Sequence, residues 1–507
     1  MSHNKLYLLT STFDDDAWDF IRKAIMSPIF GNSRDNVRQR MATFARYIQK
    51  YSADLTTAEQ VSVTEQLIWK KLFPKNKYND GRMRQERTAL TQMIESIIPY
   101  LYLHSNTALQ TLMRTDYYAN FLALHPYFEA QLIAHKQQLS DFAQEYGSDT
   151  LYYYYQLRTE ELILVYETQK AEHGSDLNLQ QTTAAIDNYF IAQKLRFALY
   201  IINREPHKDI KSQAFIAGIL NHIDNNTEQY KQERTIWVRY KTLLLLNNPK
   251  TQAADIREHL ELLQQYFALF SKQEQANLYT YILNFVVHQI NNYSNYEQLK
   301  KCWNLSYELY LNIGIPQNLI YRSSGHLTHE ALRNVLVAAI NAYETPKQRQ
   351  QVAQEMQQWL ESIAHKILDD DKQIYFKAAQ NFCLFMQQQY KQCAYHIYIN
   401  PLPINVAWLL DMCRLSIKAY YELQSEEQLD IEINNFKTGL HRNSVKHCPI
   451  TDQQKTLNLN FVKFLLKINR PTTTNNDKRI QEISEDLKNT PDVVDRKWLL
   501  DKLDEKK

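Results

Sequence analysis

The side chains best suited to metal chemistry lie late in the chain. Cys393-Ala-Tyr-His396 sets a thiol and an imidazole one helical turn apart, and His441 and the adjacent His447-Cys448 follow. Thiolate sulfur and imidazole nitrogen are the ligands zinc prefers, but its structural sites draw on two paired knuckles, and this chain offers one. Cys393 also has a packing role in the repeat described below. No metal or other cofactor is therefore expected. The 15 histidines are scattered, without an HExxH pair. Carboxylates at Glu160-Glu161 and Asp369-Asp370-Asp371 do acid–base work only inside a pocket, and both groups fall at expected helix ends or turns. Asp14-Asp15-Asp16 reads as a helix cap, where carboxylates meet free backbone N–H groups and the positive end of the dipole. The run Tyr152 to Tyr155 reads as helix packing rather than a stacking platform for bases.

The strongest signal is charge. Residues 22–87 hold fourteen basic and six acidic residues, a local charge of +8 in a chain of +2. Lys70, Lys71, Lys75, Lys77, Arg82, Arg84 and Arg87 are the candidate contacts, either for an acidic protein partner or for nucleic acid. The 61–98 segment, a helix ending Trp69-Lys-Lys-Leu-Phe-Pro74, a turn and a second helix carrying the arginines, resembles the helix–turn–helix of winged-helix regulators with TPR-like domains behind them. That resemblance implies arginines near the start of the second helix touching phosphates or bases. A winged helix also needs a β-hairpin next, and 99–110 has no glycine-bearing turn for one.

These groups sit on elements that the composition restricts sharply. The 507 residues include 8 glycines, where average usage of about 7% would give roughly 35. The closest glycines are eleven apart, so neither a phosphate-cradling loop nor a dinucleotide fingerprint can be assembled. Sheet architectures with a turn every 8–12 residues are equally hard to build. At 44% hydrophobic residues the chain buries a large core, yet single cores stop growing near 250–300 residues, so several domains or a stack of helices is implied. Five cysteines without a CxxC pair fit reduced thiols. Leu6-Tyr-Leu-Leu9 is too short for a signal-peptide core, and the apolar runs 243–246 and 335–340 fall far below the ~20 residues that span a bilayer. A cytoplasmic protein with no membrane association is expected.

Apolar residues recur at helical spacing almost from end to end. The stripe Trp18, Ile21, Ile25 and Phe30 follows the aspartates; Val37, Met41, Phe44, Ala45 and Ile48 form the next. Thr56 or Thr57 precedes a helix that Pro74 ends, and Asn79-Asp-Gly81 supplies a turn. Beyond it Leu90, Met93, Ile94, Ile97 and Ile98 mark a long helix, which Pro99 kinks or ends. Gly147 and 172–175 are expected breaks. In 182–203, Ile186, Tyr189, Phe190, Ala192, Gln193 and Phe197 are expected to line a broad buried face, with Asp187, Lys194 and Arg196 in a polar network.

Three later segments share one grid. Ile290, Tyr296, Leu299 and Trp303 stand at offsets 0, +6, +9 and +13; Leu384, Tyr390, Cys393 and Ile397 repeat it; Tyr420, Leu429, Ile433 and Phe436 match at 0, +9, +13 and +16. This is the spacing of a tetratricopeptide-like (TPR-like) helical hairpin, and such hairpins must stack to bury their apolar faces. A further pair, 329–344 and 347–366, fits between them.

The chain also resembles a family of uncharacterised, roughly 500-residue, TPR-like bacterial proteins. The resemblance rests on Ser27-Pro-Ile-Phe-Gly-Asn32, Leu72-Phe-Pro with Tyr78-Asn-Asp and Arg82, Ile186-Asp-Asn-Tyr-Phe with Gln193-Lys-Leu-Arg196, Lys418-Ala-Tyr-Tyr-Glu-Leu423, and Leu440-His-Arg-Asn443 with Leu459-Asn-Phe461. It implies the helical-repeat fold and no activity.

The expected architecture is all-α: a basic helical N-terminal domain over 1–105, an α-solenoid of TPR-like hairpins over 106–470, and a linker with short amphipathic helices over 471–507 that dock loosely. The expected function is a non-enzymatic scaffold or adaptor binding protein partners on its helical surface. The alternative is a regulator binding nucleic acid through 22–87.

Overall fold

Helices begin where a polar side chain stands ahead of an apolar stripe. Asp14 Oδ1 accepts from Ala17 N at 2.8 Å and starts Asp15–Met26; Asn79 Oδ1 accepts from Arg82 N at 2.8 Å and starts Asp80–His104. Asn295 and Asn405 do the same for Tyr296–Leu309 and Val406–Glu422, and Thr345 with Gln348 forms a capping box ahead of Pro346–Ile363. Asp80–His104 runs through Pro99 and ends at His104.

The computed structural model describes residues 5–30, 34–51, 58–122, 125–146, 150–170, 177–205, 215–248, 250–292, 295–322, 325–343, 345–367, 372–445, 447–469, 476–490 and 492–506. Among them the chain is all-α, with twenty-four α-helices and two antiparallel two-residue strands, Ser444–Val445 and Cys448–Pro449. The expected cap at Thr56 or Thr57, the breaks at Gly147 and 172–175, the Asp369-Asp370-Asp371 run and the start of the linker, 471–475, lie outside the described residues. No helix among those described is long and apolar enough to cross a membrane.

The chain divides into two units. The first comprises 1–145 and 154–186. In it Trp18, Ile21, Ile25, Phe44, Ile48, Leu90, Ile94 and Ile97, from the stripes expected in the sequence, form one core together with Trp69. Where a winged helix would place its hairpin, Asp80–His104 is followed by the helix Thr107–Leu122.

The second unit comprises 146–153 and 187–507. Here each helix packs on its sequence neighbour: Lys272–Asn292 on Tyr296–Leu309, His329–Asn341 on Pro346–Ile363, Lys372–Met386 on Tyr390–Ile399, and Val406–Glu422 on Glu426–His441. His329–Asn341 also meets Lys372–Met386, and Lys372–Met386 meets Val406–Glu422. The grid positions Leu299, Cys393, Ile397, Leu429, Ile433 and Phe436 are all buried in these pairs. Tyr310–Gly314 is a π-turn in which a Cβ on Gly314 would overlap the Tyr279 ring tip and the Ile320 side chain, so any larger residue would force both to shift.

Two expectations fail in this unit. On Leu179–Arg204 the expected Ala192 is buried, but together with Asn188, Ile191, Leu195, Leu199 and Ile202, while the expected Phe190 and Phe197 are exposed. A helix apolar on several faces offers more than one candidate seam, and the partners decide which is used. The expected network also does not form: Arg196 pairs with Glu274 at 3.2 Å, and Lys194 lies over the Phe190 and Phe215 rings. The second failure is the tail. Ile480, Leu487, Trp498, Leu499, Leu500 and Leu503 belong to the core of this unit, so Asn476–Asn489 and Arg496–Asp504 are integral to it rather than loosely docked.

Two buried histidines make the fold acid-sensitive. His135 is fully buried with no hydrogen-bond partner among the described residues on either ring nitrogen, and burial pulls it down to about 4. Burial, helped by Lys241, pulls His259 down to about 4 as well; its Nε2 is 2.9 Å from Thr242 Oγ1. Both fold neutral, whereas unfolded histidine titrates near 6.5. Stability is therefore full above that value and falls as pH drops from about 6.5 to 4, by roughly 2–3 kcal/mol per histidine. Urea unfolding at a series of pH values should show this loss. His135→Leu should remove its share in the first unit, because it deletes two unsatisfied nitrogens.

Candidate functional site

Thr107–Leu122 carries two apolar faces. Ala108, Thr111, Leu112, Thr115 and Ala119 are buried, whereas Met113, Tyr117 and Phe121 project at one-turn spacing and are 54%, 60% and 68% exposed. Two apolar faces on one helix are the sequence signal for this surface, and the reading of motifs and charge passed over it. The helix is set against the end of Asp80–His104 by Gln110, whose Nε2 donates to the carbonyls of Leu103 and His104 at 2.8 and 2.9 Å.

The result is a groove of about 550 Å³ within the first unit. Phe20 stacks on His104 at 4.9 Å, and Phe30 meets Tyr100 edge-on at 4.7 Å. Tyr117 and Met113 line the groove beside Arg114. Size, exposed aromatic lining and a cation suit recognition of an apolar side chain followed by an acidic one.

The same unit carries the charged candidates. Lys70, Lys71, Lys75 and Lys77 are exposed and have no ion pair to a described residue. Arg84 reaches back to Asp80 at 2.5 Å on the surface. Arg82 lies 4.2 Å over the Phe73 ring, which Arg40 also approaches at 5.6 Å, and both guanidinium groups face Glu86. Arg87 stands apart. It pairs with the buried Glu65, which also accepts from Tyr7 Oη at 2.6 Å and Tyr78 Oη at 3.4 Å. Burial first, then the Glu65 charge, raises the Tyr7 hydroxyl far above its ordinary range, so it stays protonated and donates. Six of the seven candidates thus remain on the surface, and half-buried Arg87 turns inward to Glu65.

The thiol and imidazole groups serve packing. Cys393 Sγ donates to the Asn381 carbonyl at 3.4 Å, and His396 Nδ1 is 2.7 Å from Asn381 Oδ1. Burial pushes the Cys393 thiol up to about 12. Cys448 Sγ donates to the carbonyl of Ile404. Among the described residues no group of three or more His, Cys, Asp or Glu is gathered as a metal site.

The chain matches no protein-family model, no curated protein and no solved structure.

Proposed function

We propose that the protein is a non-enzymatic scaffold or adaptor that holds an acidic, apolar-anchored segment of a protein partner in the groove of its first unit. The exposed apolar lining carries this reading: water-facing Met113 and Tyr117, with Phe121 one turn beyond them on the same face, cost free energy that a docked segment recovers. The +8 of residues 22–87, in the same unit, gives the charge complementarity. In the second unit the successive hairpins and their next-but-one contacts support a TPR-like α-solenoid and kinship with the TPR-like bacterial family. Five free cysteines suit a reducing cytoplasm.

Peptide display against the whole chain is the direct test. Selected peptides should pair aromatic or leucine anchors with acidic residues. Tyr117→Ala should weaken a selected peptide about thirtyfold, the mark of a hot spot near 2 kcal/mol, and Lys70→Ala with Lys75→Ala should chiefly lower its salt dependence. Selection of no acidic peptide, or binding indifferent to Tyr117, would defeat the proposal. Tight duplex DNA or RNA binding near physiological salt, falling log-linearly with salt, would favour the nucleic-acid regulator instead.

A further inference from the structure

The second unit holds a charged interior that the docking function does not use. Arg333 grips Asp411 with two hydrogen bonds, Nε to Oδ2 at 2.5 Å and Nη2 to Oδ1 at 3.1 Å. Arg414 lies between two carboxylates: its Nη2 donates to Asp411, its Nε to Asp495 Oδ2 at 2.8 Å, and its Nη1 to Asn458 Oδ1 at 2.7 Å. Lys418 Nζ donates to the other oxygen of Asp495 at 3.0 Å. Asp411, Arg414 and Lys418 are each about 5% exposed. Three cations therefore meet two carboxylates, a surplus of one positive charge, with Arg414 and Lys418 buried and Arg333 26% exposed.

A surplus positive charge beside two buried cations attracts an anion. All five groups line a cavity of about 660 Å³ inside this unit, in the size range of small-molecule sites. The wall opposite Val406–Glu422 is the segment 492–497. There Asp492 and Asp495 both take left-handed backbone conformations, a local strain that brings the Asp495 carboxylate to Arg414 and Lys418. The rest of the lining mixes aromatic rings, Trp303 and Tyr310, with the amides of Asn284 and Asn334. That combination accepts a flat, hydrogen-bonding body as well as a charged head.

We propose that this cavity binds a small organic anion whose phosphate or carboxylate group completes the charge balance of Arg333 and Lys418. Lys418 is the informative position. Lys418→Met leaves two cations on two carboxylates, with Asp495 still held by Arg414, so the empty protein becomes neutral at this site. Asp495→Asn does the reverse and raises the surplus.

Thermal unfolding of the full chain tests this with inorganic pyrophosphate and citrate as probes, each against sodium chloride at equal ionic strength. A saturable rise in the midpoint, about 4 °C at a hundredfold excess over Kd, is expected for at least one probe. The probe that binds identifies the head group as phosphate or carboxylate. Lys418→Met should melt within a few degrees of the unsubstituted chain and lose about half of the response or more, as a drop in affinity of about tenfold or more requires. Asp495→Asn should keep it. Should Lys418→Met not fold, Arg333→Met, at a partly exposed position, carries the same expectation. Neither probe exceeding chloride, or full retention of the response in Lys418→Met, overturns the proposal.

Discussion

Trp498→Ala is expected to cost about 3–5 kcal/mol, the range for a large aromatic removed from a core. The indole is 6% exposed, meets Tyr421 edge-on at 5.3 Å and donates from Nε1 to Glu422 Oε1 at 3.1 Å. Glu422 also accepts from Lys502 Nζ at 2.9 Å, and Tyr296 donates to Asp501, so the last helix is tied to two others by side chains far away in sequence. Lys506 Nζ reaches the Ile468 carbonyl at 2.6 Å. Trp498→Phe keeps most of the buried area and should recover much of the loss. Deleting the last helix altogether should leave the second unit unable to unfold cooperatively. Urea melts followed by far-UV circular dichroism measure each case, and a Trp498→Ala loss under about 1 kcal/mol would place the tail outside the core.

Glu65→Ala should be nearly as damaging, at about 3–4 kcal/mol, because it strands a largely buried guanidinium. Arg87 has only 19% of its side chain exposed and loses its carboxylate partner, and Tyr7 and Tyr78 lose their acceptor. Replacing both partners, as in Glu65→Ala with Arg87→Met, should recover part of the loss, since no buried charge is then left alone. Lys70→Ala, Lys75→Ala and Lys77→Ala should each stay within about 0.5 kcal/mol, as surface changes do. The contrast separates an interior arginine from surface lysines that share its charge and neighbourhood in the sequence. Equal, small effects of all four single substitutions would dissolve the distinction.

Much of the helical frame was legible residue by residue. Eight glycines in 507 residues leave few places for the tight turns that sheets need. Asp14 ahead of Trp18, Ile21 and Ile25 announced a cap and a buried stripe, and both are there. The tyrosine run beginning at Tyr152 lies within the helix Thr150–Lys170, where spacing of three and four outweighed its strand-like composition. Each of these depends on residues within a few turns of one another, where the chain itself fixes the geometry.

The candidate sites were far less legible. The basic stretch was plain, but charge counting cannot tell that Arg87 turns inward to Glu65, twenty-two residues away. On Leu179–Arg204 and Thr107–Leu122 the sequence offers apolar residues on more than one face, and only the packed neighbours select the one that is buried. The network of Arg333, Asp411, Arg414, Lys418 and Asp495 joins positions about eighty apart. No local pattern announces it, because the partners have no fixed geometry until the helices stack. The sequence by itself determined that this chain is helical and where most helices lie, since hydrogen bonding and periodicity are local. The tertiary structure alone decided which faces are buried, which charges are paired and where cavities remain, since burial and ion pairing are settled by residues distant in the chain.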